Sequence, residues 1–281
     1  MQAMSVNEKY EVSAEFDGAR LDRFMAEIMP GSGLRLRRRL CDEERVLVDG
    51  RSRKPGYKLR SGQEIIIGKE RHFMSHEQMG LRIVEQSDDF AAVYKPGGVH
   101  SASIEGKGGD SVEDVLEELF PGTTPHLLNR LDYLTSGLLL VALNADAVKR
   151  YHAMENSGDI RKFYLADVKG RLDGMVTVRN ALDTDNRKKT RVLDEDHPDA
   201  RRWTDVDAVS HDRDKDTSLV RCLIMKGARH QIRAHLASLG HPILGDPLYG
   251  EGCEEDSLRL HHERIEMPGF IATVACPWGR V

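Results

Sequence analysis

Six consecutive apolar residues, Leu138 to Leu143, constrain this chain more than any other feature. Gly137 stands before the run and Asn144-Ala145-Asp146 follows it, so the pattern predicts a short, fully buried strand that passes into a helix. Such a strand needs a core around it. With 281 residues, 40% of them hydrophobic, the chain can build one large core and a small accessory domain. Further strands are expected at Arg82–Glu85, Phe90–Tyr94 and Lys162–Val168, with a hairpin at Thr204–His211 and Thr217–Met225. A helix with Val112, Val115, Leu116 and Leu119 on one face follows Ser111, which has Asp114 at capping-box spacing. Another is expected from Ala228 to Leu239, ending at Gly240. Strands from distant parts of the chain, mixed with a few helices, predict an α+β fold around one mixed or antiparallel sheet.

Charge divides the chain in two. The net charge is −5, which alone argues against a nucleic-acid binder. Yet Arg35 to Arg60 carries ten basic residues, among them Arg35, Arg37, Arg38, Arg39 and Lys54, against four acids. That excess suits a patch that tracks phosphates, and it leaves the rest of the chain strongly acidic. The same region predicts helices at 20–29 and Leu34–Glu44 and short strands at Val46–Val48 and Glu64–Ile67. Residues 1–67 are therefore read as a small α+β domain carrying the basic patch, 68–80 as a polar linker and 81–281 as a second domain.

No long apolar run predicts a membrane span, and the first residues lack a signal peptide's apolar stretch, so a cytoplasmic protein is expected. Cys41, Cys222, Cys253 and Cys276 are scattered, as reduced structural thiols would be, without the spacing of a zinc site.

Three stretches carry chemistry. In Asn129-Arg130-Leu131-Asp132-Tyr133-Leu134-Thr135-Ser136-Gly137, a carboxylate sits where the chain enters the buried strand. Burial alone would protonate Asp132, so to stay ionised it needs a nearby cation or donors. It is either a nucleophile or base held ionised by an arginine, or a turn residue in a bend capped by Thr135 and Ser136. In Lys226 to Leu236, Arg229 and Arg233 are four apart, so on the expected helix they share a face near its N-terminus. One could pair with a carboxylate and the other with phosphate, or both could be solvated. His230, His235 and His241 lack the spacing of a known metal-ligand set. Tyr164, in the strand Lys162-Phe163-Tyr164-Leu165-Ala166, is either a core residue or a base-stacking platform whose hydroxyl takes part in proton transfer.

Together these stretches resemble the RluA family of RNA pseudouridine synthases. The family's His-Arg-Leu-Asp-x-x-Thr-Ser-Gly-Leu is matched by Asn129 to Leu138, and its His-Gln-Ile-Arg by His230 to Arg233. Gly240–Gly250, Lys162–Ala166, Lys95-Pro96-x-Gly98 and Leu258-Arg259-Leu260-His261 also match, in the expected order over about residues 81 to 270. The N-terminal segment is similar to the S-four-type RNA-binding domain, through Arg20–Phe24 and Val46–Gly50.

The resemblance implies a monomeric enzyme that isomerises uridine to pseudouridine in structured RNA, without cofactor or metal. The target uridine would be flipped into a pocket. Asp132 would act on ribose or base to break the glycosidic bond. Tyr164 would stack on the base and help remove the carbon-5 proton, and Arg233 would keep Asp132 charged. Arg130 would help hold the flipped conformation or fill the vacated stack, with Arg229 also on RNA, while the arginine helix would contact phosphates without reading sequence. Large-subunit ribosomal RNA is the expected substrate; transfer RNA and a ribosome-assembly role are the alternatives. The chain departs from the family pattern at Asn129, where a histidine is usual, at Leu134, where a charge is usual, and at Ala228, where an arginine is usual.

Overall fold

In a computed structural model, the described residues are 8–43, 45–67, 74–103, 111–186, 188–250 and 257–278. The chain forms two compact units: of the described residues, 8–67 with Ser103 belong to the smaller and 74–102 with 111–278 to the larger.

The smaller unit contains β1 (Glu8–Glu11), α1 (Leu21–Ile28), α2 (Leu34–Asp42), β2 (Val46–Val48), β3 (Arg51–Ser52) and β4 (Glu64–Ile67). Its antiparallel sheet has the order β1-β4-β2-β3. Leu21, Phe24 and Met25 recur at helical spacing on α1 and pack with Leu40 and Cys41 of α2 against Val46, Val48 and Ile65. Asp49 and Gly50 both adopt positive φ between the paired residues Val48 and Arg51. This is the twist-matched two-residue hairpin that an Asp-Gly pair favours.

The larger unit contains β5 (Arg82–Gln86), β6 (Phe90–Lys95), α3 (Leu116–Leu119), β7 (His126–Leu127), β8 (Ser136–Ala142), α4 (Ala145–Ser157) and β9 (Arg161–Lys169). It continues with β10 (Met175–Val178), β11 (Asn180–Asp183), β12 (Arg191–Asp196), β13 (Thr204–Asp212), β14 (Thr217–Ile224), α5 (Gln231–Ser238), β15 (Leu260–Met267) and β16 (Phe270–Thr273). The main sheet runs β10-β13-β14-β9-β15-β8-β6-β5, with β7 on β8 and β16 on β15, while β11 and β12 form a separate hairpin. It is mixed: β8 and β15 are parallel and the other pairs antiparallel.

The apolar run is the middle of this sheet. Leu139 and Val141 face one core with Ile232 and Leu236 of α5. Leu138, Leu140 and Ala142 face another with Ala147 and Tyr151 of α4. Because both faces are covered, every residue of β8 is buried and no polar alternation survives. Gly137 opens the strand at φ +117, and a Cβ there would stand 2.3 Å from the His262 carbonyl oxygen. Only glycine lets β15 come that close.

Several expectations need correction. The helix expected from Ala228 starts at Gln231, because His230 takes a left-handed conformation at φ 54 and Gln231 Oε1 accepts a hydrogen bond from the Ala228 amide. Arg229 therefore lies outside α5 and shares no helix face with Arg233. Residues 74–80, expected as linker, belong to the larger unit. Met79 is buried in its core, and His76 pairs with Glu118 at 2.7 Å. The helix expected around Val112 begins as a 3-10 turn, with Asp114 accepting from Ser111. β10–β12, β15 and β16 were not anticipated. Cys41 and Cys222 are buried free thiols, and Cys253 lies outside the described residues. No described helix is long and apolar enough to cross a membrane.

Candidate active site

Asp132 sits in the turn that feeds β8, where the Thr135 amide donates to the Asp132 carbonyl. Four ties hold the turn. Ser101, buried, donates to the Leu131 carbonyl at 2.8 Å and accepts from the Leu131 amide at 3.0 Å. The Gly98 amide donates to the Tyr133 carbonyl at 2.8 Å. Buried Lys95, at the end of β6, donates to the carbonyls of Pro96, Val99 and Tyr133 at 2.9, 2.9 and 3.3 Å. Asn129 Oδ1 accepts from the Leu140 amide at 2.6 Å, so the residue that replaces the family histidine fastens the approach of the turn to β8. Burial pulls Lys95 down to about 7, and the Asp132 charge opposes that pull.

Arg233, near the start of α5, links two carboxylates. Its Nη1 donates to Asp132 Oδ2 at 2.8 Å. Its Nε and Nη2 make a bidentate pair with Asp246 at 2.7 and 2.8 Å. Asp246 also accepts from the amides of Leu248 and Tyr249. Burial opposes the charge on Arg233, but the hydrogen bonds to Asp246 and Asp132 outweigh it and hold the guanidinium above its ordinary range. Burial likewise opposes the Asp246 charge, and Arg233 overcomes it. The guanidinium is thus oriented by a partner that never meets solvent, and one arm remains for Asp132.

His230 presents its Nε2 to Asp132 Oδ2 at 3.8 Å. The hydroxyl of Tyr249 donates to the Thr190 carbonyl at 3.0 Å and accepts from the Thr190 amide at 2.9 Å. Its single proton is thereby spent, so His230 Nδ1, 3.2 Å away, must be the donor to it. Burial lowers the His230 pKa; Asp132 and Asp246 oppose the shift, while Arg233 and Arg229 reinforce it.

Tyr164 is buried on β9 and stacks on His262 of β15, with ring centroids 4.4 Å apart and planes at 13°. Burial above all, and then the Asp132 charge, push its phenol well above the ordinary range. Arg233 is thus in contact with Asp132, and Tyr164 lies within range of the Asp132 charge. Arg130, two residues before Asp132 in the chain, is exposed. Arg229 is turned away from Asp132: its Nη2 donates to the carbonyls of Thr184, at 2.5 Å, and Asn186. His230, His235 and His241 go to separate partners, respectively Tyr249, Thr204 with Asn180, and Lys169.

In the smaller unit, Arg35 and Lys54 are exposed and Arg37 is half-buried. Arg38 lies 3.6 Å from the buried Asp22, and Arg39 lies 4.0 Å from Glu43. The arginine helix is therefore partly engaged within the fold. Sequence reasoning assigned no role to Lys95, Ser101, His230, Asp246 or Tyr249. Lys95, His230, Asp246 and Tyr249 stand in stretches that it had singled out, but no spacing rule says that Asp246 returns to Arg233.

The comparisons follow the same division. Residues 89–238 match the RNA pseudouridylate synthase family, and residues 19–65 match the S4 domain. The chain is 30% identical over 260 residues to the ribosomal large subunit pseudouridine synthase C of Escherichia coli, covering 85% of this chain and 79% of that one. It is 29% identical over 261 residues to an RNA pseudouridine synthase of Aquifex aeolicus, covering 88% and 82%. Among solved structures it resembles human RNA pseudouridylate synthase domain containing 1, with 28% identity, a TM-score of 0.57 and coverage of 71% of this chain and 84% of that one. The family match and these relatives make the chain an RNA pseudouridine synthase, an enzyme that isomerises uridine within RNA. The chain belongs to the RNA pseudouridylate synthase family, with the RluA-type motifs and an N-terminal S4 domain.

Proposed function

We propose that the chain makes pseudouridine in large-subunit ribosomal RNA with Asp132 as its catalytic carboxylate. The observation that carries this reading is the position of Arg233, buried and locked to Asp246, with its remaining arm on a partly exposed Asp132. An arginine so held fixes the orientation of a carboxylate oxygen before RNA arrives, at no reorganisation cost. In the reaction the N1–C1′ bond of uridine breaks and a C5–C1′ bond forms. The proton on carbon 5 leaves, and N1 gains one. Asp132 acts on the ribose or base of a flipped uridine. Tyr164, held as a neutral phenol, offers its ring to the base and its hydroxyl as a proton relay. Arg130, exposed and two residues before Asp132, fills the stack that the uridine leaves. The ribosomal target is supported by the relatives named for the large subunit.

The test uses RNA tritiated at carbon 5 of uridine. Wild-type protein is expected to release tritium from large-subunit ribosomal RNA, and Asp132→Asn is expected to release none while still binding RNA. Release from transfer RNA alone would move the substrate. Binding without release from either RNA would favour an assembly role.

A further inference from the structure

Among the described phenylalanines, tyrosines and tryptophans, Tyr133 alone stands exposed, at 48% of its surface. Its ring lies against the imidazole of His100, with centroids 4.5 Å apart and planes tilted by 37°. Below the ring the backbone is fixed, because the Tyr133 carbonyl accepts from the Gly98 amide and from Lys95 Nζ. A half-exposed aromatic gains little from the fold that carries it, and an aromatic pair on a fixed turn is a preorganised flat surface. Its position identifies the ligand: Tyr133 directly follows Asp132, so the two Cα atoms are about 3.8 Å apart.

We propose that Tyr133, backed by His100, is a stacking subsite for the nucleobase next to the uridine held at Asp132. The inference rests on the reading of Asp132 given above. A π-face accepts any base, so the subsite adds affinity and holds the neighbouring nucleotide without reading its identity. It also gives the strand a fixed point beside the reacting one, which a flipped nucleotide needs if its neighbours are not to follow it.

Two measurements test this, on Tyr133→Ala, Tyr133→Phe and wild type, with thermal unfolding to check the fold. In the first, a fluorescently labelled single-stranded oligouridylate is titrated into each protein in an Asp132→Asn background, so that no turnover is needed. Tyr133→Ala is expected to weaken binding about five- to a hundred-fold, and Tyr133→Phe to stay within about three-fold of the parent. In the second, tritium release from a large-subunit ribosomal transcript is followed against RNA concentration. The loss in Tyr133→Ala should fall on KM rather than kcat, with Tyr133→Phe recovering it. Unchanged affinity and KM in Tyr133→Ala would overturn the proposal. So would Tyr133→Phe as weak as Tyr133→Ala, since the hydroxyl and not the ring would then matter. A loss confined to kcat would make the ring a support for the Asp132 turn and overturn it too. Absence of tritium release by wild type would count against the reading of Asp132, while the oligouridylate titration would still decide the subsite.

Discussion

Each unit contains a cluster of carboxylate and arginine, and the two are built inside out relative to each other. In the smaller unit the acid is hidden: the Asp22 side chain is 5% exposed, and its partners Arg20 and Arg38 are 52% and 53% exposed. In the larger unit the cation is hidden: Arg233 is 5% exposed, between Asp246 at 0% and Asp132 at 26%. The same ion pair therefore shows solvent opposite faces. A buried acid with cations around it offers positive charge to a phosphate backbone. A buried arginine with an acid above it offers a carboxylate oxygen to a substrate. The difference lies in which partner lacks water, since the unsolvated partner is the one that the fold must fix.

The largest expected effect comes from removing the exposed acid of the larger unit. Asp132→Asn should lower tritium release by about a thousand-fold or more, in keeping with loss of an essential carboxylate. Arg233 keeps its bidentate partner, so thermal unfolding should move little. A large fall in stability would mean that Asp132 is structural and would erase the contrast with Asp22.

Next in size is the buried cation. Arg233→Met leaves Asp246 as an unpaired charge in the core and should cost about 3–5 kcal/mol, read from denaturant midpoints. Activity should vanish with it. Arg20→Met removes an exposed arginine while Arg38 still lies near Asp22, so its shift in midpoint should be much smaller. Equal shifts for the two variants would break the comparison.

How far these clusters were legible in the sequence follows from the same geometry. β8 was readable because both its faces are buried and nothing polar interrupts it. β15 was not, because its first half holds His261 and His262, which are fully buried yet polar in any hydropathy pattern. Asp132 and Arg233 lie 101 residues apart, and only the family motifs suggested that they meet. The expected shared helix face of Arg229 and Arg233 failed because His230 takes a left-handed backbone, a choice that residue spacing does not encode. Asp246 orients Arg233 from a loop, where no periodicity marks a residue as buried.

Those histidines give the third prediction. Burial lowers His261 from its ordinary 6.5 to about 4 and His262 to about 3. Between those values and 6.5 the unfolded chain binds more protons than the folded one, so stability falls as pH falls. The loss should be steepest from pH 6.5 to about 4, where both histidines contribute, and should continue more gently to about 3. The described residues of the smaller unit contain no histidine, so its core should hold through that window and weaken only as its carboxylates take protons. Both tryptophans, Trp203 and Trp278, lie in the larger unit and report on it by fluorescence during denaturant titrations. His262→Phe keeps a ring under Tyr164 and should flatten the slope. An unchanged slope would place the acid sensitivity elsewhere.

The smallest effects belong to the outer cations of the smaller unit, and they sharpen the comparison most. Lys54 and Arg35 are exposed, and replacing either with Gln should leave the fold intact. If each meets one phosphate, its loss should reduce the slope of log affinity against log salt by about 0.7 to 0.9. Binding to ribosomal RNA at several salt concentrations measures this, and tritium release at each should show the loss in KM. Asp132→Asn should lie at the opposite corner, with the salt slope of wild type and no product. Arg38→Gln is the informative intermediate, because Arg38 both borders Asp22 and faces solvent. A loss of slope with unchanged stability would assign Arg38 to RNA. A loss of stability with unchanged slope would assign it to Asp22 and shrink the phosphate-facing surface to the arginines and lysines that the fold leaves outside its own ion pairs.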